Sequence, residues 1–227
     1  MADALHLSST AVPILPAFAP TLEFPLRGSW AVVRSPGHHR YAYDFAAVSD
    51  VKGGYFRKPA WRLLWSGASV EDSDSWARTV RAPIDAIVVD LCDDVPDRPT
   101  VKALPQTVRV FRSRPQSHDI RALAGNFLML KCQRWFVLLA HLKQGSIRVA
   151  LRDVVVKGQP LAEVGNSGSS TTPHLHLQVM EAPDLRVATP IGFLVTEYER
   201  WSGGRWHPAR YRELVKGERV RFRPEES

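Results

Sequence analysis

The chain has 227 residues, 44% hydrophobic and 23% charged, proportions that suit a globular protein with a buried core and exclude a disordered or fibrous one. No run approaches the roughly 20 apolar residues that cross a bilayer, so no membrane span is expected. The formal net charge of +7 admits a polyanionic partner. No RNA-binding aromatic motif, helix-turn-helix pattern or zinc-finger spacing accompanies it, so nucleic acid is not expected.

Residues 1–26 read as an irregular lead-in. No basic segment precedes the apolar run, and Pro13, Pro16 and Pro20 interrupt it, so no export signal is evident. "LEFPLRGSW" and "WAVVRSPG" then alternate and end in turn residues, and "RYAYDFAAV" alternates through Tyr41, Tyr43 and Phe45. Residues 50–80 form a loop-rich insertion holding Trp61, Trp65 and Trp76 among Gly, Ser and charge. "APIDAIVVDLC" reads as a strand, and "PQSHDIRALAG" is the best helix candidate, with Ser117 placed to cap it. "NFLMLKC", "RWFVLLAHL", "SIRVAL", "DVVVKGQPLAEVG" and "HLHLQVM" follow as short β-branched or aromatic runs between turn residues. Residues 198–227 are a polar, Arg-rich tail whose "ERVRF" adds a last strand. Short strands with turn signals at this spacing predict a mainly β sandwich or barrel. Cys92 and Cys132 lack C-x-x-C spacing and read as free thiols rather than metal ligands.

The stretch "SSTTPHLHLQV" places His174 and His176 two residues apart. In a strand both rings face one side, while Leu175, Leu177 and Val179 face the other. That suits a metal site, an acid/base pair, or no more than a histidine-bearing edge. Elsewhere the chain offers His38 and His39 on a turn, Asp44 in the next strand, and His141 ending an apolar strand. A hydrolytic zinc site needs a few imidazole or carboxylate ligands and an open position for water, and spare histidines can move protons beside it. Gly165, Asn166 and Gly168 permit positive φ in a tight turn ahead of the pair. There Asn166, Ser167 and Ser170 either contact a substrate backbone or simply build the turn.

In order, "GHHRYAYDF", "LLAHLKQGSIRV", "DVVVKGQPLAEVGNSGSS" and "PHLHLQV" resemble the motifs of the lysostaphin-type (LytM-like) zinc metalloendopeptidases, from about Arg27 to Val195. The resemblance implies antiparallel β-sheets of the duplicated hybrid motif type, with one metallopeptidase domain over residues 27–197. It implies Zn2+ held by Asp44, His176 and the histidine before Asp44, with His141 and His174 as the catalytic pair. The family's usual gap of four between that histidine and the aspartate becomes five from His39 or six from His38. His39 is preferred, with His38 as the alternate, although strand parity favours His38. The family's "DG" turn appears as Asp85-Ala86 and its "GD" as Arg152-Asp153. The implied function is hydrolysis of peptide bonds in peptidoglycan cross-links or stem peptides, or in another peptide rich in small residues, at the cell envelope or outside the cell. The alternative is a non-catalytic binding or regulatory module on the same fold that acts on cell-wall hydrolases.

Overall fold

The structure, a computed structural model, describes residues 19–33, 35, 38–49, 55–56, 68–101, 120–185 and 187–222. The N-terminal part contributes β1 (Thr21–Leu22), β2 (Gly28–Val33), β3 (Ala42–Ala47), β4 (Ala68–Ser69), β5 (Thr79–Arg81), β6 (Ala86–Cys92) and β7 (Thr100–Val101). A short helix, α1 (Ile120–Ala124), precedes β8 (Asn126–Cys132), β9 (Trp135–Leu142), β10 (Val154–Val155), β11 (Pro160–Glu163) and β12 (Leu175–Met180). Beyond them lie β13 (Pro190–Ile191), β14 (Leu194–Ser202), β15 (Arg205–Arg212) and β16 (Arg219–Phe222). The main sheet runs β10-β6-β8-β9-β12-β3-β2-β16-β14-β1, with β13 beside β12 and β15 beside β14. Every pairing in it is antiparallel except that of β1 with β14. The fold is therefore mainly β and mainly antiparallel, as the residue pattern predicts.

Period-two alternation decides what each strand buries. Tyr43, Phe45 and Ala47 of β3, Val137 and Leu139 of β9, and Leu175, Leu177 and Val179 of β12 meet Trp30 and Val32 of β2 in the principal core. The opposite faces of β8 and β9 supply Phe127, Met129, Leu138 and Ala140 to a smaller cluster with Cys92 and Met180. Asp44 and His176 alternate away from the principal core. The apolar side of the sheet fixes its register, because a slip of one residue would turn these polar groups into that core.

Some expectations change. "SIRVAL" forms no strand: the main-chain N–H groups of Gly145 and Ile147 go to the Asp93 carboxylate, at 3.0 and 3.2 Å, and Arg148 makes one bond to Leu161 O. Those side-chain bonds take the place of a ladder. Among the described residues the expected helix covers Ile120–Ala124, and Ser117 lies outside the described residues, as do Trp61 and Trp65. The segment read as a tail instead extends the sheet. Gly203 and Gly204, both at positive φ, close β14 onto β15 as a two-residue hairpin turn whose twist matches the strands. The expected strand in "ERVRF" is β16, which lies between β14 and β2. Both cysteines are free, Cys92 buried and Cys132 half-buried.

Candidate metal centre

β12 lies antiparallel between β3 and β9, so His176 sits opposite Asp44 on one side and Ala140 on the other. His174, just before β12, shares the face of His176. His141 reaches the same place by a different device. Regular alternation would send it into the principal core with Leu139. Instead β8 and β9 slip by one residue, pairing Asn126 with Leu142 and Phe127 with Ala140, and His141 is left as a bulge at φ 61. A bulge re-aims a side chain. The left-handed backbone costs about 1–2 kcal/mol, and the bond from Gly165 N to His141 O, 3.0 Å, holds it. The His141 ring ends 4.7 Å from that of His174 and 6.0 Å from that of His176, centroid to centroid.

Asp44 is the hub, with only 3% of its surface exposed. His176 Nδ1 lies 2.8 Å from Oδ1, His174 Nε2 3.5 Å from Oδ1, and His38 Nδ1 3.1 Å from Oδ2. The Ser35 hydroxyl also donates to Oδ2. Burial pushes the Asp44 carboxyl up, but hydrogen bonds from His174, His176 and His38 outweigh it and hold the group well below the usual carboxylate range. A buried carboxylate survives only with such partners. Burial and the neighbouring His174 and His176 push His141 well down, towards the neutral ring. Burial also lowers His174, but the hydrogen bond and charge of Asp44 prevail and raise it.

The donor atoms of His38, Asp44 and His176 lie within 4.8 Å of one another, close enough to bind one ion. Two imidazoles and one carboxylate are a donor set that suits zinc. The surroundings fit as well. While His176 Nδ1 faces the group, its Nε2 lies 3.0 Å from Gln178 Oε1, and the Gln178 amide nitrogen turns to Met180 Sδ. A ring oriented through its second nitrogen is what a metal-binding histidine needs. Nothing in the sequence reading marked Gln178, although its place two residues after His176 puts it on the same face. The structure brings His38, not the preferred His39, to the cluster. His39 instead opens the turn into β3: its Nδ1 accepts from Tyr41 N–H at 3.3 Å, and its carbonyl oxygen takes bonds from Ala42 N and Lys216 Nζ.

The turn from 165 to 173 holds the other two rings. Ser167 O accepts from His141 Nδ1 at 3.0 Å, and Thr172 O accepts from His174 Nδ1 at 2.7 Å. Both rings thus spend Nδ1–H on a carbonyl; His141 is left with Nε2 free to take a proton, while Nε2 of His174 faces the Asp44 carboxylate. Asn166, Ser167 and Ser170 are all buried, and their side chains bond the protein itself: Asn166 to Arg98 O, Ser167 to Leu142 O, Ser170 to Asn166 and Thr172 O. Of the three positions expected to permit positive φ, only Gly168 adopts it, at 64°. Gly165 is required for a different reason: a Cβ there would come within 2.5 Å of the Leu142 carbonyl carbon and closer still to the Lys143 main chain.

Residues 96–187 match the model of peptidase family M23, in keeping with the LytM-like resemblance. His141, His174 and His176 lie inside that match, and His38 and Asp44 lie before it. Similar solved structures include a zinc-containing peptidase from Vibrio cholerae, at 17% identity over 71% of this chain and 37% of that one, TM-score 0.39. The catalytic domain of lysostaphin from Staphylococcus simulans is 16% identical over 74% of this chain and 86% of that one, TM-score 0.38. A mutant catalytic domain of the prophage-encoded M23 protein EnpA from Enterococcus faecalis is 17% identical over 77% and 95%, TM-score 0.40. The chain spans little more than a third of the Vibrio cholerae peptidase. No curated protein matches the chain.

Proposed function

We propose that this chain, whose residues 96–187 match peptidase family M23, is a zinc-dependent metalloendopeptidase that cuts peptide bonds in peptidoglycan cross-links or stem peptides. The observation that carries this reading is the convergence of His38, Asp44 and His176 on one point, with His141 and His174 beside them. His38, Asp44 and His176 would hold the ion. Zinc, when bound, supplies Lewis acidity and brings the pKa of a water ligand to about 7. The protein's own rings do the proton work. With Nδ1 of each ring committed to a carbonyl, Nε2 of His141, the ring held towards its neutral form, is placed to accept a proton from the attacking water, and His174, held towards its charged form by Asp44, to donate to the substrate oxygen as charge develops there. The basic surface favours approach to an anionic wall polymer, and the site of action is the cell envelope or beyond.

The test is cleavage of purified peptidoglycan by the zinc-loaded chain, with released amino groups and fragment masses as the readout. Cleavage that stops in Asp44→Ala along with the loss of zinc supports the reading. A chain that stays free of zinc after reconstitution and cuts nothing would be the binding module instead. No helix among the described residues is long and apolar enough to cross a membrane.

A further inference from the structure

The segment between β6 and β7 touches the histidine-bearing turn more closely than a passing loop would. Asp97 Oδ1 accepts the Asn166 N–H at 2.5 Å, and its Oδ2 accepts the Gln144 N–H at 2.8 Å. One carboxylate thereby ties the exit of β9, three residues past His141, to the start of the turn. Next to it, Arg98 pairs with Asn166 in two places. Its main-chain N–H donates to Asn166 O at 3.2 Å, its carbonyl accepts from Asn166 Nδ2 at 3.0 Å, and Asn166 Oδ1 in turn takes the Ser170 hydroxyl. The Arg98 guanidinium then reaches over the turn, Nη1 donating to Ser170 O and Nη2 to Gly168 O.

Those contacts fall on the peptides that aim the two rings. Ser167, whose oxygen receives His141 Nδ1, lies between Asn166 and Gly168. Ser170, whose hydroxyl sits 3.1 Å from His174 Nδ1, is the residue the guanidinium grips. From this geometry we infer that Asp97 and Arg98 are positioning residues for the catalytic histidines: they clamp the 166–170 turn so that Ser167 O fixes the Nδ1–H form and direction of His141 and the Ser170 hydroxyl sets the direction of His174. The inference rests on the peptidase reading for its catalytic consequence, though not for the clamp itself. A guanidinium is a flat fork with fixed donor directions, so it can span two carbonyls two residues apart. A lysine ammonium is a single point of charge and cannot replace it there. Both residues lie on a surface loop, Asp97 half-buried and Arg98 exposed, so replacing either leaves the core untouched. A small displacement of catalytic groups costs on the order of 10²-fold in rate.

The test uses the full chain as wild type, Arg98→Ala, Arg98→Lys and Asp97→Asn. Four measurements are made: zinc content, the urea midpoint, kcat and KM on soluble cross-linked peptidoglycan fragments, and the 1H–15N correlations of the imidazole rings. Arg98→Ala should keep its zinc and its urea midpoint. Its kcat should fall on the order of 10²-fold while KM stays within about twofold. Added guanidinium ion should restore part of the loss, and Arg98→Lys should restore none. In the spectra, the His141 signals should move from a single Nδ1–H form to an average of both tautomers, and those of His174 should shift. Asp97→Asn should do the same to a smaller extent, since an amide still bonds one of the two N–H groups. Wild-type kcat and wild-type ring signals in Arg98→Ala would overturn the inference. So would a joint fall of zinc, midpoint and rate in Arg98→Ala and Arg98→Lys alike, which would make the clamp a general brace. If the wild type cuts no fragment, the peptidase reading falls, while the ring signals still decide whether the clamp sets the histidines.

Discussion

Gly168→Ala tests how the turn is held, because the structure separates two costs there. The residue has φ 64, a conformation that costs an L side chain about 1–2 kcal/mol. A Cβ at this position would stand 2.6 Å from Gly125 Cα and 2.9 Å from the Ala124 carbonyl carbon, and closer still to Gly125 N. All three are main-chain atoms at the end of α1, so none can swing aside, and overpacking of this kind costs about 1–3 kcal/mol. Stiffening of the unfolded chain returns about 0.4–1 kcal/mol. The net expectation is a loss of about 1–4.5 kcal/mol. Gly145→Ala is the control: φ is 70, but a Cβ there meets nothing within 4 Å, so only the backbone cost applies. Urea unfolding of both variants, metal-free and at fixed zinc, reads the difference, with an unchanged slope confirming that stability alone has moved. If Gly168→Ala lost no more than Gly145→Ala, the close packing of the turn on α1 would be refuted as a source of stability.

Other substitutions probe separate parts of the account. His141→Ala and His174→Ala should each lose about 10²–10⁴-fold in turnover yet keep their zinc, checked by cleavage assay and metal content on the same preparations. Gln178→Leu should weaken zinc binding about 10–100-fold, measured by competition with a chelator, because His176 then loses the partner that orients its ring. Arg152→Gly should hold or raise stability by up to about 1 kcal/mol in urea, since Arg152 sits at φ 75 where glycine is at ease; a clear loss would show that its exposed side chain contributes.

The strands that carry the site were legible because period-two alternation is a local signal. Leu175, Leu177 and Val179 turn to the principal core while His176 turns away, as the pattern "HLHLQV" implies. What escaped the sequence depends on contacts that are not local. His39 looked nearer in spacing to the usual motif, but the turn before β3 is not extended, so residue counting loses its meaning there. Lys216, 177 residues further on, bonds the His39 carbonyl. His141 could be named but not aimed, since a bulge is set by the pairing of two strands rather than by either alone. The Arg-rich tail hid a hairpin whose cue, Gly-Gly between alternating runs, was present at Gly203 and Gly204. Asp97 and Arg98 carry no spacing signal at all, because their partners stand about 70 residues away.

Zinc content of the wild type beside His38→Ala, His39→Ala and His176→Ala, by elemental mass spectrometry after reconstitution, tests the central claim most directly. The account predicts stoichiometric zinc in the wild type and in His39→Ala, and loss of zinc in His38→Ala and His176→Ala. A wild type that takes up no zinc, or a His39→Ala that loses it while His38→Ala does not, would contradict the assignment.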